Sequence, residues 1–146
     1  AARAARASPA STFAGAGQNL DTGCKVVLGA PDTTATVETK SISKGGGIST
    51  FRSSIVATPA AEGSAASVSC QSLMLDDISR SDTIPAMDIR AKNVDIGHEA
   101  TIGRIGDDKV FYLMSRGMSE EEARTMIVNA SPIPFPRSSR SSTQSR

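Results

Sequence analysis

The chain has 146 residues, which is enough for one domain with a buried core but short for two. Aromatic residues make up 3% of it and tryptophan is absent, which argues against a core built on large rings. Small and β-branched side chains must fill the interior, as in narrow, layered β structures. The net charge is +1, but residues 21–131 hold 11 basic and 15 acidic side chains, a net of −4. This mild acidity argues against nucleic-acid binding by the fold itself.

Other bulk features concern the cellular compartment. Two cysteines, Cys24 and Cys70, are too few for a disulfide framework and indicate a reducing environment. The sequence has no apolar run of membrane-spanning length, and its start lacks the apolar segment of a secretory signal. We therefore expect a cytoplasmic protein. A plastid is the alternative in a eukaryote, because the start is rich in Arg, Ala and Ser like a transit peptide.

The first predicted segment, residues 1–19, is small, polar and punctuated by glycine, so we expect it to be flexible or partly helical up to Pro9. Residues 20–106 then form short β-type runs separated by Gly, Pro, Asp and Ser. Six such runs without intervening helices predict an all-β domain, either a sandwich or, better suited to small stacked side chains, a solenoid. No strict repeat length is visible in the sequence. The predicted strands are Lys25–Gly29, Thr34–Ser43, Ile48–Thr58, Ala65–Leu75, Ile84–Arg90 and Val94–Ile105.

Residues 107–130 predict a helical hairpin. The first helix should run from Lys109 to Arg116, with Asp107 or Asp108 as its cap and Gly117 as its left-handed end. The second should begin with a capping box at Ser119–Glu122. Its apolar stripe and the hydrophobic staple at its start involve Met118, Ala123, Met126 and Ile127. Residues 131–146 combine alternating prolines with a Ser/Arg tail, which predicts disorder.

Three residues could carry metal chemistry: Cys70, His98 and Glu99. Thiolate, imidazole and carboxylate all bind iron, and thiolate is the usual ligand of iron–sulfur clusters. Their spacing alone is also compatible with a small buried cysteine, a core histidine and a solvated carboxylate. Neighbours in a strand face opposite sides, so only one of His98 and Glu99 should share a site with Cys70 unless Gly97 introduces a bulge.

Other chemistries find little support. The glycines at 45–47 lack the spacing and the Lys-Ser/Thr pair of a phosphate-binding loop. A hydrolytic triad would depend on His98, the only histidine, and the sequence has no nucleophile elbow. A β-helix enzyme acting on polysaccharide would need paired acids and aromatic platforms, for which this composition gives little basis. We therefore expect that the chain is not an enzyme.

Several motifs in fixed order resemble the core of the SufB/SufD family of iron–sulfur cluster assembly scaffolds, with SufB the better match. The resemblance covers about residues 18–129 and is specific from 70 onward. The motifs are Asp21–Gly23 with Lys25, Ser79–Pro85, His98–Thr101, Phe111–Gly117, Ser119–Ala123 and Met126–Asn129.

The resemblance implies a right-handed parallel β-helix followed by C-terminal helices. It also implies a scaffold role, in which a nascent iron–sulfur cluster is held within a complex with a SufC-type ATPase and a SufD- or SufB-type subunit. Cys70 and Glu99 match the family's cluster-associated cysteine and glutamate, and His98 matches the histidine beside them. These three are therefore the expected cluster and metal ligands, and no residue is expected to be catalytic.

Three departures from the family pattern set further expectations. The family's sulfur-accepting cysteine lies upstream of residue 1, and Cys24 does not match it. Gly97 stands where SufB proteins often have another acid. The Pro/Ser/Arg tail replaces the family's further helix beyond Asn129, where the ATPase docks, so we expect docking to be impaired. A truncated, purely structural β-helix fragment of the family is the alternative interpretation.

Overall fold

The computed structural model describes residues 3–6 and 10–130; for Arg3, Ala5 and Arg6 only the backbone is described. Eight strands are followed by two helices. The strands are β1 (Arg3–Arg6), β2 (Ala10–Ala14), β3 (Asn19–Leu28), β4 (Thr33–Ser43), β5 (Ile48–Ala57), β6 (Ala65–Met74), β7 (Arg80–Ile89) and β8 (Asp95–Arg104). The helices are α1 (Asp107–Met114) and α2 (Glu120–Ala130).

From β2 onward, successive strands alternate between two parallel sheets. Sheet A has the order β1-β4-β6-β8, with β2 also paired to β4, and sheet B has the order β3-β5-β7. Thr34 pairs with Ala65, and Ala65 pairs with Asp95, so one coil takes about 30 residues. The chain is a parallel β-helix of about three turns, which confirms the predicted fold class and excludes a sandwich.

Alternating residues of each strand point into the space between the sheets, where they form a core of small side chains. One half of this interior is apolar, with members from both sheets such as Leu28, Val37, Ile55 and Val68. The other half is lined with hydroxyl groups. There Ser72 accepts hydrogen bonds from Ser41 and Ser81, both at 2.8 Å, and Thr12 contacts Ser49 at 3.3 Å; Thr39, Ser41, Ser43, Ser49 and Ser72 are buried. Hydroxyls can be buried here because they pair with one another.

The turns between strands repeat a left-handed backbone conformation from coil to coil. Asp32 and Asn93 have φ of 53° and 52°, and Gly63, between them in the stack, has φ of 71°. Backbone hydrogen bonds join these turns, from Asp32 N to Glu62 O and from Gly63 N to Asn93 O. Asp, Asn and Gly tolerate this conformation best, so the turn residues that marked strand ends in the sequence also fix the stacking of the coils.

The N-terminal part differs from its prediction. Residues 3–6 and 10–14 are strands that pair in parallel with β4, whereas a flexible or partly helical segment was expected. The backbone hydrogen bonds offered by β4 outweigh the helical preference of alanine. β3 and β7 also begin earlier than predicted, at Asn19 and Arg80, while the other four predicted strands agree with the structure to within one residue.

The helical hairpin packs on the outer face of sheet A. Val110 and Ala123 are buried against Leu73 and Ile105 in a second apolar cluster. Arg124 reinforces this packing, since it donates to the Leu75 carbonyl at 2.6 Å and pairs with Asp107 and Glu120 of the two helices. The hairpin therefore packs through its apolar face on β6 and on the segment that follows β8.

The helix ends agree only in part with the sequence prediction. The capping box is confirmed: Ser119 N donates to Glu122 at 2.9 Å, and Glu122 N donates to the Ser119 hydroxyl at 3.3 Å. Gly117 has the expected left-handed conformation, with φ of 93°. The predicted aspartate cap of α1 is wrong, because Gly106 is the N-cap and Asp107 and Asp108 lie inside the first turn, where they complement the helix dipole.

Residues 131–146, predicted to be disordered, lie outside the described residues. None of the helices in the described ranges has both the length and the apolar character needed to cross a membrane.

Asp76 links the turns of adjacent coils. Its carboxylate accepts from the backbone amides of Gly45, Ile78 and Ser79. Burial opposes the charge, but the hydrogen bonds from Ser79, Gly45 and Ile78 outweigh it and lower the pKa of Asp76 below its usual 3.8. A carboxylate with a lowered pKa stabilises the fold above its unfolded pKa, and this stabilisation is lost as the pH falls through the folded value.

We expect Asp76→Asn to lower the stability at pH 7, because an amide oxygen is a weaker acceptor than a carboxylate. The difference from wild type should shrink as the pH falls below about 4, where the wild-type carboxyl becomes protonated. Urea denaturation across pH 2.5–7 measures both quantities. Asp77→Asn is the control, since its exposed ion pair with Arg104 should contribute little. A stability difference for Asp76→Asn that does not change with pH would contradict the assigned role.

Candidate metal-binding site

Cys70 lies on the inner face of β6, in the middle of sheet A. It is 3% exposed and packs among the apolar core residues. Burial and, to a smaller extent, the charge of Cys24 raise the pKa of Cys70 to about 11. The thiol is therefore protonated at neutral pH, and a metal ion that binds it must displace the proton.

His98 shares this inner face. Its Nε2 atom lies 3.4 Å from the Cys70 sulfur, and its strand β8 pairs in parallel with β6. Strand parity in the sequence placed His98 on the same side as Ile96 and Ala100, and the structure places it among the inner-facing residues. Two of the three predicted ligands therefore meet inside the β-helix.

Glu99 lies on the other side of the same strand. It is in register with Ser69 on the outer face of sheet A and is exposed. The pairing of β8 with β6 is continuous from Asp95 to Arg104, so Gly97 does not introduce a bulge that could rotate Glu99 inward. In this chain the structure brings Cys70 together with His98 and not with Glu99.

The pair lies next to the open end of the β-helix. In the described part of the chain β7 and β8 are the last strands of their sheets, so each has one edge without a partner. Large apolar side chains are exposed along these two strands: Ile84, Met87, Ile89 and Ile102. Met87 and Ile89 continue the inner rows of Ile55 and Ala57, so the apolar core extends to the open end.

The second cysteine, Cys24, packs in the interior but does not complete a metal-binding site with Cys70 and His98. Cys24 lies on β3, packs against the same apolar core and is a free thiol. Burial raises the pKa of Cys24 as well. Its inward orientation follows from its parity with Val26 and Leu28, which is visible in the sequence although Cys24 belongs to no motif. Within residues 3–6 and 10–130, no group of three His, Cys, Asp or Glu side chains is close enough to hold a metal ion.

Comparisons with known proteins find a matching family and several curated relatives. The family described as "SUF system FeS cluster assembly, SufBD core domain" matches residues 3–131. An iron–sulfur cluster assembly SufBD family protein of Mycobacterium tuberculosis H37Rv is 45% identical over 116 residues, 80% of this chain and 14% of that protein. The iron–sulfur cluster assembly protein SufB of Bacillus subtilis is 44% identical over 123 residues, 84% of this chain and 26% of that protein.

The relatives are much longer than this chain. A SufBD family protein of Staphylococcus epidermidis is 43% identical over 123 residues, which are again 84% of this chain and 26% of that protein. The chain thus spans about a quarter or less of the curated relatives it matches. Because the family match covers nearly all of the described residues, the chain belongs to the SufBD core family of the SUF iron–sulfur cluster assembly system.

Proposed function

We propose that the chain is a non-enzymatic scaffold component of SUF-type cluster assembly and that Cys70 and His98 bind the nascent iron–sulfur cluster. The contact of 3.4 Å between the Cys70 sulfur and His98 Nε2 carries this proposal. Thiolate and imidazole both ligate iron in protein-bound clusters. The cluster is the cargo of this site and leaves it for recipient proteins, so no residue is assigned a catalytic role.

Glu99 contributes from the opposite face of β8 in this proposal. Inner-facing and outer-facing side chains of a last strand both border its free edge. A cluster lying beyond that edge could accept His98 from the inner side and Glu99 from the outer side. The site therefore extends across the edge of β8 rather than remaining inside the β-helix.

A partner must complete the coordination. Clusters normally have four protein ligands, and the described residues offer no preformed three-ligand site. The open end of the β-helix suits a second subunit of the SufB or SufD type, because it combines free strand edges with exposed apolar side chains. Pairing there would place the partner's ligands next to β8.

We also propose an ATPase partner and a cytoplasmic location. Docking of a SufC-type ATPase is expected to be impaired, and the surface left for it would be the helical hairpin, where Phe111, Tyr112 and Met114 are exposed although they are apolar or aromatic. The resemblance, rather than the geometry, names this partner. A reducing cytoplasm suits two free thiols.

Anaerobic reconstitution with iron and sulfide tests the role of the site. The full chain is incubated alone and with SufC- and SufD-type partners, and absorption spectroscopy and iron analysis follow cluster formation. We expect Cys70→Ala to lower bound iron about tenfold, and His98→Ala and Glu99→Ala to lower it less, because thiolate is the stronger cluster ligand. Cys24→Ser is the matched control and should retain the cluster.

The alternative is an interaction fragment that keeps the β-helix but binds no cluster, and the open apolar end favours it equally. Under that alternative the wild-type chain binds its partner subunit but shows no cluster absorption. Retention of the cluster by Cys70→Ala, or its loss in Cys24→Ser, would overturn the proposed ligand assignment.

A further inference from the structure

Cys70 has two neighbours in register on the inner face of sheet A. On one side is Thr39 of β4, which is buried, and on the other is Ala100 of β8, which is exposed. In-register side chains of adjacent strands lie about 5 Å apart, close enough for each to cover the other. The residue in register with Cys70 on the side of the open end is therefore Ala100, whose side chain is a single methyl group.

The other inner-facing side chains of β8 are larger. His98 lies beside Ala100 and contacts the sulfur, and Ile102 lies on the other side of Ala100. Ala100 is thus the smallest inner-facing residue next to Cys70 on the free edge. Along β8, the smallest side chain that a ligand meets on approaching Cys70 from the open end is this methyl group.

We infer that Ala100 sets the size limit for what reaches Cys70. Small species, such as a ferrous ion or hydrosulfide, pass over a methyl group, whereas bulky thiols and disulfides of tripeptide size are excluded. The identification of iron and sulfide as the natural species rests on the proposed function.

Thiol modification with reagents of two sizes tests the inference on the full chain. Methyl methanethiosulfonate is the small probe: the Cys70 thiolate attacks its sulfenyl sulfur, an S–S bond forms, methanesulfinate leaves and the thiol proton goes to the buffer. Glutathione disulfide is the large probe, and it transfers one glutathionyl group while releasing one glutathione thiolate. Peptide mass mapping quantifies adducts at Cys70 and Cys24 separately, so Cys24 serves as an internal control.

Because methyl methanethiosulfonate is also the more reactive reagent, we expect the ratio of the small-probe rate to the large-probe rate to be higher at Cys70 than at Cys24. Ala100→Leu should slow both reactions at Cys70 by about tenfold, and Ala100→Gly should accelerate the reaction with glutathione disulfide by about the same factor, because access limits a buried thiol. Thr101→Leu places a leucine on the outer face of the same strand and should leave Cys70 unchanged. Rates at Cys24 should be unaffected in all variants.

Equal Cys70 rates in Ala100→Leu and wild type would overturn the inference, as would equal slowing by Thr101→Leu. Neither outcome bears on cluster binding, which the Cys70→Ala reconstitution measures. Conversely, a chain that binds no cluster but shows the expected size selection would retain the steric role of Ala100 and lose the proposed function.

Discussion

Replacing Gly47 with alanine should destabilise the β-helix by about 3 kcal/mol, or prevent its folding. A Cβ atom at this position would lie 2.3 Å from the carbonyl oxygen of Ala14 and 2.7 Å from that of Gly15. Both contacts are with backbone that also takes part in stacking the coils, since Lys44 N donates to Ala14 O at 2.9 Å. A rotamer change cannot relieve a clash with backbone, so the turn itself would have to move.

Gly29→Ala is the matched control, because a Cβ there would meet no atom within 4 Å. Its free energy of unfolding should stay within about 0.5 kcal/mol of wild type. Urea denaturation followed by circular dichroism gives both values. A Gly47→Ala variant as stable as Gly29→Ala would show that the backbone around Gly47 has room for a Cβ atom, contrary to the close contacts with Ala14 and Gly15.

Ile55→Ala should cost about 3 kcal/mol of stability, through lost apolar burial and the cavity left behind. Ile55 is 2% exposed and lies in the apolar half of the interior. The surrounding side chains are mostly small and belong to paired strands, so they have little freedom to fill the space.

The same substitution at Ile78 provides the comparison, since this side chain is 75% exposed in the turn after β6. We expect Ile78→Ala to change the free energy of unfolding by less than about 0.5 kcal/mol. Both variants remove the same atoms, so the difference between them reports burial alone. Similar losses for the two variants would mean that the interior repacks around the deleted side chain.

The sequence predicted those parts of the fold that depend on residues close together in the chain. Turn residues with Gly, Pro and Asp marked the strand ends, and the capping box at Ser119–Glu122 marked the second helix. The strands at residues 3–6 and 10–14 were missed because their pairing with β4 is non-local and their alanine-rich sequence favours helix. The cap of α1 was misassigned because two successive aspartates suited either the cap or the first turn.

The site was predictable in part for a similar reason. Parity along one strand correctly allowed only one of His98 and Glu99 to face Cys70. The place of Ala100 beside Cys70 depends on the register between coils, which the sequence does not show because the coils have no strict repeat. The pairings of Cys70 with Thr39, 31 residues before it, and with Ala100, 30 residues after it, are visible only in the structure.

The hydroxyl-lined half of the interior has a consequence for how the chain selects a single alignment of its coils. A slip of two residues keeps every side chain on its own face, and rows of Ala, Ser and Thr would offer little steric resistance to it. Hydrogen bonds are directional, and Ser72 can accept from both Ser41 and Ser81 only in the observed alignment. A slip of two residues between β4 and β6 would place Ser41 opposite Cys70 or Met74 and leave its buried hydroxyl without this partner. The hydrogen bonds in the polar half of the core thus fix the register of the strands. The same register brings Cys70 and His98 into contact in the apolar half.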